Sequence, residues 1–349
     1  MKLSWNIGSE DESFQLSSAV DEELRQLIKE MEIRTSIIGC GGGGSNAVGR
    51  LAQVGVGDAI LVAANSDAKH LLGIRAPYRL LLGKETTRGL GAGSIPQVGK
   101  YAAEEARDEI RRYIDGCKVV FVTAGMGGGT GTGAAPYVAE MARRNGSLVI
   151  GVVTLPFKAE GKLRMNNALR GLEELRRHCD TTITILNDQL LKLVPKLPLE
   201  VAFKVADEVL MQSIKGINDV VAKPGLVNVD FNDVSSVMRN GGMATIGLGE
   251  SDDPRDRVQI AVEDALASPL LGEIELSNAR GALVRVQGGP DMTIGEAEKA
   301  AKMISDRISP RARIIWGCSV EPELEGMMKV MLVITGVTSP HLSEKAMKG

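Results

Sequence analysis

Two glycine-rich segments contain the residues best suited to hold a phosphate group. The first reads GCGGGGSN at residues 39–46 and follows an apolar run typical of a strand. Glycine lets backbone amides approach an anion without a Cβ in the way, and the start of a following helix adds partial positive charge. By itself the segment also fits the first turn of a dinucleotide-binding fold, or a tight strand-to-helix turn without a ligand. The predicted phosphate contacts are Gly41, Gly42, Gly43, Gly44 and Ser45.

The second segment, GMGGGTGTG at residues 125–133, again joins an apolar run to a helical pattern. If the two strands are neighbours, their loops face one another, and a triphosphate held from both sides uses both loops. The P-loop pattern GxxxxGK[ST] is absent from the sequence, so amide dipoles, helix ends and Mg²⁺ must offset the phosphate charge. The predicted contacts are Gly127, Gly128, Gly129, Thr130, Gly131 and Thr132, with the threonines acting through their hydroxyls.

Phe203 and Asp207 lie four residues apart in an apolar pattern that predicts a long helix over residues 199–218. That spacing puts both side chains on one face, one turn apart. A ring that stacks on a base and a carboxylate that accepts two hydrogen bonds suit the N1–H and amino group of guanine. The same spacing also fits a core phenylalanine beside a solvated aspartate.

Two further polar sets have simpler interpretations when taken alone. Glu160 and Arg164 form an i, i+4 pair, which predicts a surface ion pair. Asp230 and Asp233, with Asn228, follow the far end of the long helix and fit the cap of a short helix that starts near Asp233.

The two aspartates are expected to lie out of reach of a phosphate bound at the other end of the same chain. From Asp207 to Asn218 alone, the helix axis advances ~16 Å. A second copy docked head to tail would bring Asp230 and Asp233 over the exposed phosphate, so the site would be shared. A contact between two unlike surfaces does not close on itself and generates filaments.

The composition excludes several other classes of protein. The chain has 349 residues, of which 44% are hydrophobic and 24% charged, which suits about two globular domains. Aromatic residues make up only 3% and the net charge is −3, which argues against a stacking platform for single-stranded nucleic acid and against long-range attraction to anionic surfaces. Four widely spaced cysteines and three histidines give no zinc-ligand spacing. With no signal peptide or membrane-length apolar run, the sequence predicts a cytosolic chain.

From Thr35 onward, short apolar runs alternate with helical patterns, which predicts βαβ units. The predicted fold class is α/β: a parallel-sheet Rossmann-like domain, a long central helix and a smaller α+β domain. The predicted domain bounds are 1–33 for a leader with a short helix at 21–33, then 34–198, 199–222, 223–338 and a tail at 339–349. The predicted strands are 35–39, 59–64, 118–124, 147–154, 181–186, 243–248, 281–287, 312–320 and 327–337; the other predicted helices are 45–54, 96–114, 133–144, 160–178, 233–239, 254–267 and 293–308.

These segments belong to a longer series of motifs that resembles the tubulin/FtsZ family. GGGTGTG at residues 127–133 is similar to the phosphate loop of that family. The resemblance covers about residues 33–337. The other motifs, in the order of the family, are GCGGGGSNAV at 39–48, NSD at 65–67, TRGLGAG at 87–93, VTLPFKAEG at 153–161 and NVDFNDV at 228–234.

The resemblance implies a GTPase of the tubulin/FtsZ fold that polymerises and serves cytokinesis, with GTP or GDP and Mg²⁺ as cofactors. Glu160 would then bind the ribose hydroxyls, Arg164 would lie by the nucleoside, and Phe203 and Asp207 would contact guanine. Many bacterial members carry asparagine at the Asp207 position, and the carboxylate here should still select guanine. The remaining implied contacts are Asn46 at the base or ribose, Asn65 and Asp67 of the NSD motif, and Ala92 and Gly93 near the γ-phosphate.

The resemblance also assigns the hydrolytic step and the partners. Asp230, Asp233 and Asn228 would act on the GTP of the neighbouring subunit by positioning and polarising the attacking water. The implied partners are further copies of the chain and membrane tether proteins, and the implied location is cytoplasmic, on the inner side of the membrane at the division site. Neither nucleic acid nor a transmembrane segment is expected. The terminal tethering peptide of bacterial members is not found before the sequence stops at Gly349, so either tethering uses another surface, such as the leader before Ile33, or the sequence is truncated.

Two alternatives remain open at this stage. A nicotinamide-dependent oxidoreductase would use the first glycine loop, but it leaves residues 125–133 unexplained. A scaffold that binds GTP without useful hydrolysis would keep both loops and have no turnover to lose.

Overall fold

The first half of the chain alternates strands with helices. The structure is a computed structural model, and it describes residues 33–193, 198–222, 229–272 and 274–337. The elements in chain order are β1 (Thr35–Cys40), α1 (Gly41–Val54), β2 (Ile60–Asn65), α2 (Ala68–Gly73), β3 (Tyr78–Leu81), α3 (Pro96–Glu105), α4 (Arg107–Ile114), β4 (Val119–Gly125), α5 (Thr130–Arg144), β5 (Leu148–Leu155), α6 (Lys162–His178), β6 (Thr181–Leu186) and α7 (Asn187–Leu193).

The second half begins with a helix of 24 residues, α8 (Leu199–Ala222). It is followed by α9 (Phe231–Met238), β7 (Gly242–Ser251), α10 (Arg257–Ala267), β8 (Gly281–Gly288), α11 (Ile294–Ser305), β9 (Arg313–Val320) and β10 (Met328–Thr335).

All these strands join one sheet in the order β3-β2-β1-β4-β5-β6-β7-β10-β8-β9. Strands β1–β6 are parallel, β7 continues parallel to β6, and β10 runs antiparallel to both β7 and β8, while β9 is parallel to β8. Strands β1–β9 therefore all end at the same edge of the sheet, which we call the carboxyl edge. The loops that precede these strands lie at the opposite, amino edge.

The central strands are apolar on both faces because helices cover both. Every residue of β1 and of β5 is buried, as expected for a parallel sheet between two helical layers. Helices α3–α6 contribute to one apolar core, in which Val122 and Ala135 are fully buried. A second core joins β8 and β10 to α10 and α11, and includes Leu332 and Val262. Full burial of such a side chain stabilises the fold by roughly 1.5–3 kcal/mol.

A buried ion pair fixes α8 to the second half of the sheet. Arg285 of β8 donates a hydrogen bond to Asp219 of α8 at 2.9 Å, and Lys215 reaches the same carboxylate at 2.8 Å. Arg285 and Asp219 are 5% and 3% exposed. Removal of one partner from a buried pair leaves an uncompensated charge, so this contact holds the helix in one position relative to β8.

The predicted fold class is confirmed, and the long helix is present and extends to Ala222. The helix predicted at 96–114 is instead two helices, because Ala106 leaves the helical region with φ −87° and ψ 20°. The short elements α2 and β3 were not predicted, since four to six residues are too few to show a period. Except for Ile33, the leader helix lies outside the described residues, as does the tail, and the domain bounds stay a prediction. Within the described ranges, no helix combines the length and apolar character needed to cross a membrane.

Gly249 lets α10 lie directly on β7, which gives a test of the second core. A Cβ at this position would come within 2.1 Å of the carbonyl oxygen of Ala261 and 2.4 Å of the amide of Ala265. We expect Gly249→Ala to overpack this contact, to destabilise the fold by about 1–3 kcal/mol and to lower the Tm by about 2–6 °C. Circular dichroism melts provide the measurement.

The matched control is Gly295→Ala on α11, because no atom lies within 4 Å of a Cβ built there. This variant should keep or slightly raise the Tm. Equal melting temperatures for the two variants would contradict the close packing of α10 on β7.

Candidate functional site

A cleft of about 520 Å³ opens at the carboxyl edge, where the loops after β1, β2, β4, β5 and β6 meet the first half of α8. It contains residues from every motif predicted for nucleotide binding. The predicted residues that line it are Gly42, Gly43, Asn46, Asn65, Asp67, Ala92, Gly128, Gly129, Thr130, Gly131, Glu160, Arg164, Phe203 and Asp207.

The two glycine loops touch each other under this cleft. Gly41 has a φ of +71°, and a Cβ on it would lie 2.6 Å from the amide nitrogen of Gly131. A Cβ on Gly129 would lie 2.7 Å from the Cβ of Ala92, so the loop at residues 87–93 packs on the second glycine loop. Only glycine permits both the backbone conformation at Gly41 and these close approaches.

Helices α1 and α5 both begin at the cleft, at Gly41 and Thr130. Neither has a side-chain cap at its N-terminus. The first-turn amides of both helices and the positive ends of both helix dipoles are therefore available at one place. Such a pair of helix starts is suited to bind the negative oxygens of a phosphate chain.

The other predicted residues of the glycine loops are not part of the cleft lining. Thr132 accepts a hydrogen bond from the amide of Gly127 at 2.8 Å, so its hydroxyl braces the second loop from within. Thr130 instead lines the cleft, and its Oγ1 lies 2.5 Å from the Oγ of Ser66, which ties the second loop to the segment after β2. The predicted residues of the glycine loops that lie outside the lining are Gly41, Gly44, Ser45, Gly127 and Thr132. Gly93, of the loop at residues 87–93, also lies outside it.

One corner of the cleft combines a ring with a desolvated carboxylate. Asn46 donates a hydrogen bond through Nδ2 to Oδ2 of Asp207 at 3.2 Å. Burial raises the pKa of Asp207 to about 6, while the hydrogen bond from Asn46 and the charge of Arg50 act in the opposite direction. Phe203 is 38% exposed and packs edge-on against Phe157, with ring centroids 5.1 Å apart. The corner thus offers an aromatic surface beside a strong hydrogen-bond acceptor.

Glu160 and Arg164 form the predicted ion pair, and both also line the cleft. Arg164 Nε lies 3.0 Å from Oε2 of Glu160. The other carboxylate oxygen, Oε1, accepts the amide N–H of Phe157 at 2.8 Å. Glu160 is therefore held in a fixed orientation at the mouth of the cleft, next to the corner that contains Phe203.

The segment after β2 forms another wall of the cleft, to which Asp67 and His70 contribute. Asp67 caps α2 by accepting the amide N–H of His70 at 2.9 Å. Two backbone hydrogen bonds fix the loop at residues 87–93 to this segment. The amide of Gly91 donates to the carbonyl of Ser66 at 3.0 Å, and the amide of Ala68 donates to the carbonyl of Gly89 at 3.0 Å. These contacts place Ala92 against the second glycine loop.

Several residues of the lining were not predicted as site residues. Asn187 is the most informative, because it is only 4% exposed and its Oδ1 has no hydrogen-bond partner among the described residues. A buried acceptor without a partner is costly unless a ligand donates to it. Its position directly after β6 becomes informative once the strand order is known, since β5, a parallel strand beside β6, also ends at this cleft. The unpredicted lining residues are His70, Gly91, Ser94, Gly125, Met126, Thr154, Pro156, Asn187 and Ala206.

Asp230 and Asp233 lie at the amino edge and do not line the cleft. At the end of α9, the carbonyl of Met238 accepts a hydrogen bond from Thr181, the first residue of β6, at 2.5 Å. Asp233 lies 3.7 Å from Arg313, the first residue of β9. A strand of six residues spans ~20 Å, which is the order of the separation between the two edges.

Asp230 also performs the structural role that its sequence position suggested. Its Oδ1 accepts the amide N–H of Asp233 at 2.8 Å and so caps α9. Both aspartates remain partly or fully exposed. Asn228, the third residue predicted for hydrolysis, lies outside the described residues.

Comparison with known proteins identifies the family. Residues 34–195 match the model of the tubulin/FtsZ family GTPase domain, and residues 242–338 match that of the FtsZ family C-terminal domain. The chain is 54% identical to cell division protein FtsZ of Haloferax mediterranei over 322 residues, which cover 92% of this chain and 85% of that protein. It is 49% identical to cell division protein FtsZ 1 of Pyrococcus horikoshii, with coverage of 93% and 87%.

Solved structures give the same result. The fold is similar to an FtsZ dimer of M. jannaschii, with a TM-score of 0.87, 47% identity and coverage of 91% of this chain and 92% of that chain. It is also similar to GDP-bound CetZ1 of Haloferax volcanii, with a TM-score of 0.78, 25% identity and coverage of 90% and 98%. The chain therefore belongs to the tubulin/FtsZ family, and residues 34–195 are its GTPase domain.

Proposed function

We propose that this chain is a cell-division GTPase that assembles head to tail and hydrolyses GTP at the contact between two subunits. The observation that carries the proposal is the placement of the cleft at the carboxyl edge and of Asp230 and Asp233 at the amino edge. One chain thus holds both halves of a hydrolytic site, but on opposite edges of its sheet. Relatives named cell division protein FtsZ, and one described as an FtsZ dimer, support the assembly and the role.

Guanine occupies the corner formed by Phe203 and Asp207. The exposed face of the ring stacks on the base, and the Asp207 carboxylate accepts hydrogen bonds from N1–H and the exocyclic amine. Adenine has no such pair of donors, so the ionised carboxylate selects guanine. Asn46 orients Asp207, and Glu160 lies at a position suited to the ribose hydroxyls.

The phosphate chain lies over the starts of α1 and α5. First-turn amides from both glycine loops bind its oxygens, and Ala92 lies beside the second loop, where it contacts the terminal phosphate. Mg²⁺ would be held through phosphate oxygens and water, with Asp67 in the lining of the same cleft. The described residues include no group of three or more His, Cys, Asp or Glu side chains arranged as a metal cage. When bound, Mg²⁺ offsets part of the phosphate charge.

Hydrolysis needs the acids of the next subunit. When its amino edge docks over the cleft, Asp230 and Asp233 lie near the exposed phosphate and orient and polarise the attacking water. Oδ1 of Asp230 is occupied by the helix cap, and its other carboxylate oxygen has no partner among the described residues, so it remains for the water. Because docking supplies the acids, assembly and turnover are coupled.

The filament serves at the division site, on the inner side of the membrane, and partner proteins tether it there. The role in division rests on the names of the relatives, and the side of the membrane and the tether proteins rest on the family resemblance alone.

The raised pKa of Asp207 predicts a pH-dependent affinity for GDP. Only the ionised carboxylate accepts both guanine donors, so the affinity should be complete above the pKa of about 6 and should fall about tenfold by pH 5. Isothermal titration calorimetry with GDP from pH 7.5 to pH 5 provides the measurement.

Asp207→Asn supplies the baseline for this experiment, because the terminal phosphate of GDP titrates in the same range and affects both proteins equally. The GDP affinity of the variant should depend on pH less steeply than that of the wild type, because only the phosphate titrates. Parallel profiles for the two proteins would contradict guanine recognition by the carboxylate.

Asp230→Asn separates the cap from the chemistry, since asparagine is an equally good N-cap but is not a carboxylate. We expect GTP affinity and Tm to stay within error and turnover to fall by about 100-fold or more. Asp108→Asn, which changes an exposed aspartate on α4 far in sequence from both half-sites, should keep full turnover.

Mixing Asp230→Asn with Asp207→Ala should partly restore activity, because Asp230→Asn contributes the bound GTP and Asp207→Ala contributes the acids. Full turnover in Asp230→Asn alone would refute its role.

A shared site also predicts that turnover per subunit depends on protein concentration. The rate should be close to zero at high dilution and rise steeply once subunits associate. Phosphate release measured across a dilution series tests this. A rate per subunit that stays constant on dilution would show that one chain hydrolyses GTP unaided.

A further inference from the structure

His70 lines the cleft beside the first glycine loop, and none of the roles described above uses its side chain. It lies on α2, and its ring approaches the start of α1. The distance from its Nε2 to a Cβ built on Gly42 is 3.8 Å. The ring edge that carries Nε2 is thus turned towards the backbone predicted to hold phosphate.

The hydrogen bonds of Asn65 determine which ring nitrogen carries the proton. The amide N–H of Asp67 can only donate, and its acceptor at 3.3 Å is Oδ1 of Asn65. The other end of the Asn65 side chain is therefore the amino group, and its Nδ2 lies 3.1 Å from Nδ1 of His70. An amino group donates, so Nδ1 accepts, and the proton of the neutral ring is on Nε2.

In this tautomer the ring presents a hydrogen-bond donor, and no acceptor, towards the cleft. A neutral imidazole with a proton on Nε2 offers an N–H donor beside the first-turn amides of α1. The Nε2 lone pair is not available, so the ring in this state is not a metal ligand. An N–H donor among backbone amides adds to a set that already suits phosphate oxygens.

We propose that His70 binds the phosphate chain of the nucleotide, with Nε2–H donating to a phosphate oxygen, and that Asn65 is the positioning residue that selects this tautomer. The proposal rests on the nucleotide site proposed above. It adds an imidazole donor to the backbone amides and the Thr130 hydroxyl of the proposed site, on a chain that lacks the lysine of a P-loop.

The first experiment compares ligands that differ only in phosphate. Affinities for GDP and for guanosine are measured by calorimetry at pH 7.5, without Mg²⁺, for the wild type and for His70→Ala. We expect GDP binding to weaken about tenfold and guanosine binding to stay within about twofold. His70→Gln, which keeps an N–H donor at a similar reach, should recover most of the GDP affinity.

The matched control is Leu72→Ala, an exposed and uncharged position on the same helix. It should bind GDP like the wild type. If His70→Ala weakens GDP and guanosine equally, or leaves GDP binding unchanged, the proposal for His70 is overturned. If the wild type itself does not bind GDP, the proposed nucleotide site fails instead, so the two failures are distinguishable.

The second experiment reads the tautomer directly. The chain has three histidines, which makes the ¹⁵N spectrum of the imidazole rings simple to assign. We expect the Nε2–H form of His70 in the free protein and a change in its Nε2 resonance on addition of GDP, which a purely structural residue would not show. A proton on Nδ1, or a resonance that GDP does not move, would contradict the proposal.

Discussion

The parallel alignment of β1–β6 is the constraint on which the site depends. It brings the ends of strands far apart in sequence to one edge, and the glycine loops after β1 and β4 then touch, with Gly41 against Gly131. Any side chain at these positions would separate α1 from α5 and move the two sets of first-turn amides apart. A triphosphate site without a lysine depends on both sets being close, because no single loop supplies enough donors to offset the charge.

The guanine selectivity proposed for this cleft depends on the burial of Asp207. Asp207 loses solvation when α8 packs beside α1, and its raised pKa is the cost of that burial. In the function we propose, guanine donates to the carboxylate the hydrogen bonds that water no longer supplies, so the occupied site is better satisfied than the free one. Asn187 behaves similarly, as a buried acceptor without a partner among the described residues.

Local signals in the sequence predicted the fold and the part of the cleft lining that belongs to the glycine loops, whereas the family resemblance implied the rest of the predicted lining, such as Asp67, Glu160 and Asp207. Apolar runs without alternation indicate buried parallel strands, and clustered glycines after such runs indicate close backbone approaches. The sequence could not show which side chains of a glycine loop point into the cleft and which point into the loop itself. Thr130 and Thr132 have the same side chain and similar spacing, but one lines the cleft and the other braces the loop.

His70 and Asn187 escaped prediction for a related reason. Neither stands in a pattern that demands its chemistry, and His70 belongs to an element of six residues, α2, that is too short for periodicity to reveal. Their positions become informative only when the edge of the sheet is known. Likewise, Asp230 fits a helix cap and a hydrolytic carboxylate equally well by sequence, and the geometry shows that the cap uses only one of its oxygens.

The placement of cleft and acids on opposite edges makes the two tips of a polymer of such subunits chemically unlike. In the proposed polymer, one tip presents a nucleotide pocket that no neighbour covers, and the other presents Asp230 and Asp233 without a nucleotide to act upon. Each proposed contact covers the pocket of only one of its two subunits, the one whose cleft faces the contact. The pocket at the open tip would therefore keep its triphosphate intact until the next subunit docks, so that hydrolysis in the polymer would follow each addition by one subunit.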